Sequence, residues 1–172
     1  MNITGEKVLL RAIEISDKET LLKIINDSET ENSLGGWSFP VSSFNQEDWI
    51  KNQKPNIGVL RCMIDDKKTK QVLGTAILSD IDYKNGNAEI HIKLTEDARG
   101  KGYGADTIKT LVEYAFNELR LKCVFASINA YNTPSQKLFE KCNFILEGRL
   151  RNRIFKKGNY HDVLVLSILN EE

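Results

Sequence analysis

The sequence has no run of about 18 apolar residues, so a membrane-spanning helix is not expected. It has no excess of either charge: 24 basic residues balance 24 acidic ones, which excludes the broad positive field that draws nucleic acid or an anionic membrane. Recognition of any anion must then be local. Cysteine is scarce and odd in number. Cys62, Cys123 and Cys142 lie in apolar stretches and have neither CxxC nor metal-site spacing. They read as small buried hydrophobes, no metal site is expected, and the predicted compartment is the reducing cytoplasm. The opening, MNITGEKVLLRAIEISD, lacks the apolar core and cleavage site of a signal peptide, in keeping with that compartment. Proline is rare, and no Pro/Gly-rich linker, repeat or low-complexity tract interrupts the chain. Its 172 residues are read as one domain spanning 1–172.

What is present is an ordinary globular composition, 41% apolar and 28% charged, with clear periodicities. KVLLRAI reads as a first strand. SDKETLLKIIND opens with a capping box, Ser16 and Glu19, and carries a helical stripe. SETENSLGGWSFPVSS reads as a long loop or broken helix, and FNQEDWIKNQ as a short helix. Three strands follow, IGVLRCMID, QVLGTAILSDID and AEIHIKL, the last two joined by an Asn-Gly turn. After TEDARGKGYG comes an amphipathic helix, then the fifth strand CVFASI, nearly all apolar or small as a central strand requires. NTPSQKLFEKCNF is a helix with Thr133 as its cap, Pro134 in its first turn and Gln136 completing the box. ILEGRLRNRIF and YHDVLVLSIL close as a hairpin.

Gly100, Gly102 and Gly104 stand at the threshold of a helix, where a tight turn or a close approach to the backbone is needed. A helix start adds unpaired N–H groups and a partial positive charge, which suit a phosphate. A P-loop is excluded, since G-x-x-x-x-G-K-[ST] does not occur. A dinucleotide fingerprint needs a strand running into the first glycine and an acidic residue about 20 positions on. TEDAR intervenes here and CVFASIN carries no carboxylate. The remaining pattern is a pyrophosphate loop, [QR]-x-x-G-x-[GA], satisfied by Arg99, Gly102 and Gly104.

That loop is similar to the acetyl-CoA signature of the GNAT superfamily of N-acetyltransferases. From Ala88 onward, with A-E-I, R-G-x-G, N-x-x-S, E-K-x-x-F and E-G in order, the chain resembles the branch of ribosomal-protein N-terminal acetyltransferases and bacterial spermidine acetyltransferases. The resemblance implies the GNAT fold, an α/β chain of the α+β kind. Its mixed, mostly antiparallel sheet would have six to seven strands, helices on both faces and a splay between the fourth and fifth strands. It also implies acetyl-CoA as co-substrate. The main chain of Gly100, Lys101, Gly102, Tyr103 and Gly104 would hold the pyrophosphate, with charge from Arg99 and Lys101. The pantetheine arm would bond the main chain of Ile92, Lys93 and Leu94, and Asn132 would be a polar partner for it.

The resemblance implies Glu89 as the base, acting through water on the acceptor amine. Glu89, His91 and Lys93 share one face of a strand by alternation, so His91 is either a second base or an exposed strand residue. The family's usual acid, a tyrosine, is replaced by Phe139, which leaves Ser135 to orient or protonate the departing sulfur. Family glycine is replaced by Asn143, which tolerates the same left-handed turn. Trp37 and Tyr160 are expected walls of the acceptor site, while Trp49 reads as core. The acceptor is a protein N-terminus, a polyamine or another small amine. Asp27, Glu29, Glu31, Glu47 and Asp48 either favour a cationic acceptor or form a solvated face. The missing tyrosine leaves open a non-catalytic acyl-CoA-binding regulatory module, and a homodimer is family precedent.

Overall fold

The computed structural model describes residues 1–34 and 39–171. Two short strands, β1 (Ile3–Thr4) and β2 (Val8–Arg11), lead into α1 (Lys18–Asn26), α2 (Ser28–Leu34) and α3 (Ser43–Lys51). A meander of β3 (Leu60–Asp66), β4 (Val72–Asp82) and β5 (Asn87–Leu94) follows. The chain then runs through α4 (Tyr103–Asn117), β6 (Cys123–Asn129), α5 (Thr133–Lys141), β7 (Ile145–Lys156) and β8 (Asn159–Leu169). The eight strands form one sheet in the order β1-β2-β3-β4-β5-β6-β8-β7. Every neighbouring pair is antiparallel except β5 and β6. The strand beyond the expected six or seven is β1, two residues paired through Ile3↔Leu10 and Thr4↔Leu9. Two residues are too short to carry a period.

Alternation along the strands sends side chains to two faces, and each face has its own helices. Ile108, Leu111 and Ala115 of α4 and Phe139 of α5 pack on Ile64, Leu78, Ile90 and Val124. On the opposite face Leu21 of α1 and Ile50 of α3 cover Met63. No helix among the described residues is long and apolar enough to cross a membrane.

Helix starts are set by tertiary partners as much as by local sequence. The expected box of Ser16 and Glu19 is replaced by one of Glu14 and Asp17 around a 3-10 turn, Ile15–Asp17, just before α1. The reason is Arg11, whose guanidinium bonds both Asp17 oxygens at 2.8 Å and holds that carboxylate buried beside the turn. At α5 the cap is Asn132, whose Oδ1 accepts from Ser135 N at 3.2 Å, so Thr133 falls inside the first turn. Gln136 instead donates to the carbonyls of Asn129 and Ala130.

The end of α5 is the turn read from the sequence. Asn143 has φ +67°, its N–H donates to Glu140 O, and Phe144 N–H donates to Phe139 O, which is a Schellman closure. Asn143→Ala is expected to lower stability by about 1 kcal/mol in urea unfolding, because an ordinary side chain resists the left-handed region.

Candidate functional site

The sheet opens between β5 and β6. These parallel neighbours are in register only at Asn87↔Cys123, Ala88↔Val124 and Glu89↔Phe125. Beyond Glu89, β5 pairs with β4 alone and β6 with β8 alone. Thr95 N donates to Leu73 O, and hydrogen-bonded pairs alternate along an antiparallel ladder, so Thr75↔Lys93 and Ile77↔His91 are the bonded pairs. The main chains of Ile92 and Leu94 therefore face the opening, whereas that of Lys93 faces β4. Gly74 allows this close pairing: a Cβ there would lie 1.9 Å from Lys93 O.

Past the open end of β5 the chain turns through the 3-10 helix Glu96–Ala98 into the glycine loop. Gly100 (φ +72°) and Gly102 (φ +86°) occupy the left-handed region, and Gly102 caps α4. None of the N–H groups of residues 100–104 donates to another described residue. Alternating left- and right-handed backbone with free amides at a helix mouth forms an anion-binding concavity. Lys7, which the sequence reading missed, adds charge: its Nζ donates to Lys101 O at 3.2 Å and would sit 3.0 Å from a Cβ on Gly102. Asp106 of α4 brings it there by accepting from the N–H groups of Glu6, Lys7 and Val8. The Tyr103 hydroxyl is engaged elsewhere and donates to Asp66. That bond, with the N–H groups of Thr69 and Lys68, holds the Asp66 carboxyl down at about 2.

Arg99 turns elsewhere. Its Nη2 donates to Thr30 Oγ1 at 2.9 Å and its Nε reaches Leu94 O at 3.4 Å, tying α2 to the end of β5. The far end of α2 is held from β6 and α5: Asn129 and Asn132 each donate to Ser33 O at 3.0 Å, and Tyr131 donates to Asn32 O. Both polar atoms of the Asn132 amide are thus engaged within the protein, one at α5 and one at α2.

The polar face of β5 is assembled as alternation predicts. His91 Nε2 lies 2.9 Å from Ser79 Oγ and 3.7 Å from Glu89 Oε2, and the Glu89 side chain is half-buried. Ser79 is a second residue the sequence reading missed. The turn alone would have set Asp80 opposite Glu89; an irregularity between Ser79 and Asp82 shifts the register and brings Ser79 there instead. Ser135 is half-exposed, and its hydroxyl makes no hydrogen bond among the described residues. Phe139 is buried against Phe144, ring edge to face at 4.9 Å, and belongs to the core.

On the same side of the sheet a cavity of about 470 Å³ lies beneath α1 and α3; from β5 it is lined by Lys93, not by Glu89 or His91. Arg61, Thr75, Ile77 and Lys93 contribute from the sheet, with Leu21, Ile24 and Trp49 among the helix residues above. Trp49 is therefore not a core residue: it is exposed and lines the cavity. Tyr160 is not brought to it: it stacks on Phe155 at an exposed hairpin tip. Trp37 lies outside the described residues. Asp162 is structural, accepting from Arg149 Nε and Asn152 N to hold the irregular pairing of β7. No cluster that could hold a metal ion occurs among the described residues.

The early acidic stretch does not form one site. Glu47 bonds Lys18 and Lys51, Glu31 lies 3.6 Å from Lys156 Nζ, and Asp27 accepts from the N–H and hydroxyl of Thr30.

A sheet opened between parallel neighbours, free amides at the adjoining helix mouth and a carboxylate beside the opening define an acyl-coenzyme-A-dependent transferase. The chain belongs to the GNAT acetyltransferases: the family model described as acetyltransferase (GNAT) domain matches residues 7–145. Among similar sequences, the SPbeta prophage-derived uncharacterized N-acetyltransferase YokL of Bacillus subtilis is 31% identical, covering 98% of this chain and 93% of its own. The spermidine N(1)-acetyltransferase of Vibrio cholerae is 28% identical, covering 98% and 96%. A crystal structure of spermidine N-acetyltransferase from Vibrio cholerae in complex with CoA and spermine superposes with TM-score 0.88 at 25% identity, covering 96% of each chain. The protein is an N-acetyltransferase, and acetyl-CoA is its donor.

Proposed function

We propose that the protein transfers the acetyl group directly from acetyl-CoA to a small primary amine within a ternary complex. The observation that carries this reading is the continuity of two unpaired backbone surfaces. The free amides of residues 100–104 suit the diphosphate, and the open edge of β5 at Ile92 and Leu94 suits the amide-bearing arm as an added strand. An N–H on that edge would also stabilise the oxyanion that forms at the thioester carbon.

The acceptor nitrogen attacks as the free base, the N–C bond forms, and the C–S bond breaks. Glu89, through a water, takes the amine's proton, with His91 and Ser79 extending the same polar chain. The CoA thiolate leaves near Ser135 and gains a proton there or from solvent; a thiol of pKa roughly 8.5 makes this a tolerable leaving group. A covalent cysteine intermediate has no support, since burial pushes the Cys62 thiol up to about 11 and raises Cys123 and Cys142 as well. A homodimer in the cytoplasm belongs to the same reading. It is supported by the free thiols and by Ile145, Leu146 and Phe155, which the edge strand β7 leaves exposed.

Calorimetric titration with CoA, and thiol release from acetyl-CoA across a panel of amines, test the proposal together. Gly102→Val is expected to weaken CoA binding by about 10- to 100-fold, the effect of losing one charge-assisted hydrogen bond. Unchanged affinity in that variant would place the diphosphate elsewhere.

A further inference from the structure

The cavity beside the open edge of β5 has a chemistry that says what kind of amine fits it. It is enclosed mainly by aliphatic side chains and Trp49, with Ile13, Leu21, Ile24 and Val41 among them. Two cations reach its floor, Arg61 and Lys93, and no carboxylate lines it among the described residues. Neither cation makes an ion pair among the described residues. The acidic residues of the neighbouring helix α3 do not compensate, since Glu47 is spanned by Lys18 and Lys51. A polyamine needs carboxylates to replace the water around its second and third ammonium groups, and here it would meet two positive charges and hydrocarbon.

Resting on the acetyl-transfer reading above, we infer that the acceptor is a small amine with an apolar body and a carboxylate, of the kind presented by an α-amino acid with a large aliphatic or aromatic side chain. The volume suits a ligand of that size, since small-molecule sites begin at about 300 Å³. Placement follows from the strand register. Lys93 shares its face of β5 with Glu89, four residues or about 13 Å away by the usual rise, so a carboxylate held on its ammonium would direct the ligand's α-amine along that face towards the base. The side chain then extends over Ile77 and Thr75 beneath α1 and α3. Arg61 is two strands away, about 12 Å by the usual strand spacing and rise, and guards the outer wall against cations. The bond changes are those already described; the products are an N-acetyl amino acid and CoA.

Thiol release measured with acetyl-CoA and phenylalanine, leucine, their primary amides and spermidine tests this. The free acids are expected to exceed both the amides and spermidine in kcat/KM by at least about tenfold, the effect of one charge-assisted contact. Lys93→Gln is expected to erase the preference of acid over amide while leaving CoA affinity unchanged. Arg61→Glu, a charge reversal at an exposed position of the cavity wall, is expected to raise the turnover of spermidine relative to phenylalanine. Spermidine outrunning the acids, amides matching acids, or coenzyme-loaded protein turning over none of the five would overturn this inference alone. Failure to bind CoA at all would instead overturn the acetyl-transfer reading beneath it.

Discussion

Glu89→Gln is expected to lower kcat by about 10²- to 10³-fold, within the range that a positioned general base contributes, while CoA affinity stays within twofold. The variant keeps the shape and the half-buried position of the side chain but cannot accept the amine's proton. The neighbouring Ser79 Oγ–His91 Nε2 contact of 2.9 Å does not involve the substituted oxygen and is expected to persist. His91 is then left as a slower base. The split between kcat and CoA affinity separates this outcome from a structural one, since loss of packing would weaken both. A variant with undiminished kcat would remove Glu89 from the mechanism.

The second large effect concerns stability. Arg11→Ala is expected to cost about 3–5 kcal/mol at neutral pH, because it strands two buried carboxylates that one guanidinium now joins. Arg11 Nε lies 2.6 Å from Asp65 Oδ2, and its Nη groups span both oxygens of Asp17. Burial pushes the Asp17 carboxyl up, but the Arg11 bonds and the Glu14 N–H more than offset this and hold it below its ordinary value. A depressed carboxyl stabilises the fold above its unfolded pKa of about 3.9 and loses that contribution as pH falls through the folded value. The native protein should therefore weaken on acidification in this range. In the variant the stranded charges are relieved by protonation, so the gap between the two proteins should narrow as the pH falls from 7 towards 3.5. Urea unfolding at both pH values measures it, and a gap that stays constant would contradict the assignment.

Both predictions draw on features that differ in how far they could be read in advance. The glycine loop, the polar face of β5 and the left-handed turn at Asn143 are local matters of spacing and backbone tolerance, and the sequence carried them. The side chains that complete the site come from distant segments. Lys7 reaches the loop because Asp106 captures the turn between β1 and β2, and nothing near Lys7 announces this. Ser79 needed the hairpin register. Asn132 displaced Thr133 as the cap, and Asp17 displaced Ser16, because partners across the fold held them in place. The acidic stretch could be read as a cation site or as a solvated face, and Asp27, Glu31 and Glu47 each have a partner within the chain. Helix α2 was legible only as a long loop or broken helix for a related reason: its polar residues have no stripe, and it is held by bonds from Arg99, Asn129 and Asn132 at its sides.

The alternation along β5 reaches further than the residues it displays. One set of positions turns its side chains to the cavity; the set between them lends its backbone to the opening. The two are out of phase by a single residue, so a slip of β5 by one residue against β4 would exchange them. Ala88 and Ile90 would then face α1 and α3, and the Glu89 carboxylate would be driven into hydrocarbon. The irregularity between Ser79 and Asp82, which sets that register, therefore decides which side chains the strand can offer to a ligand.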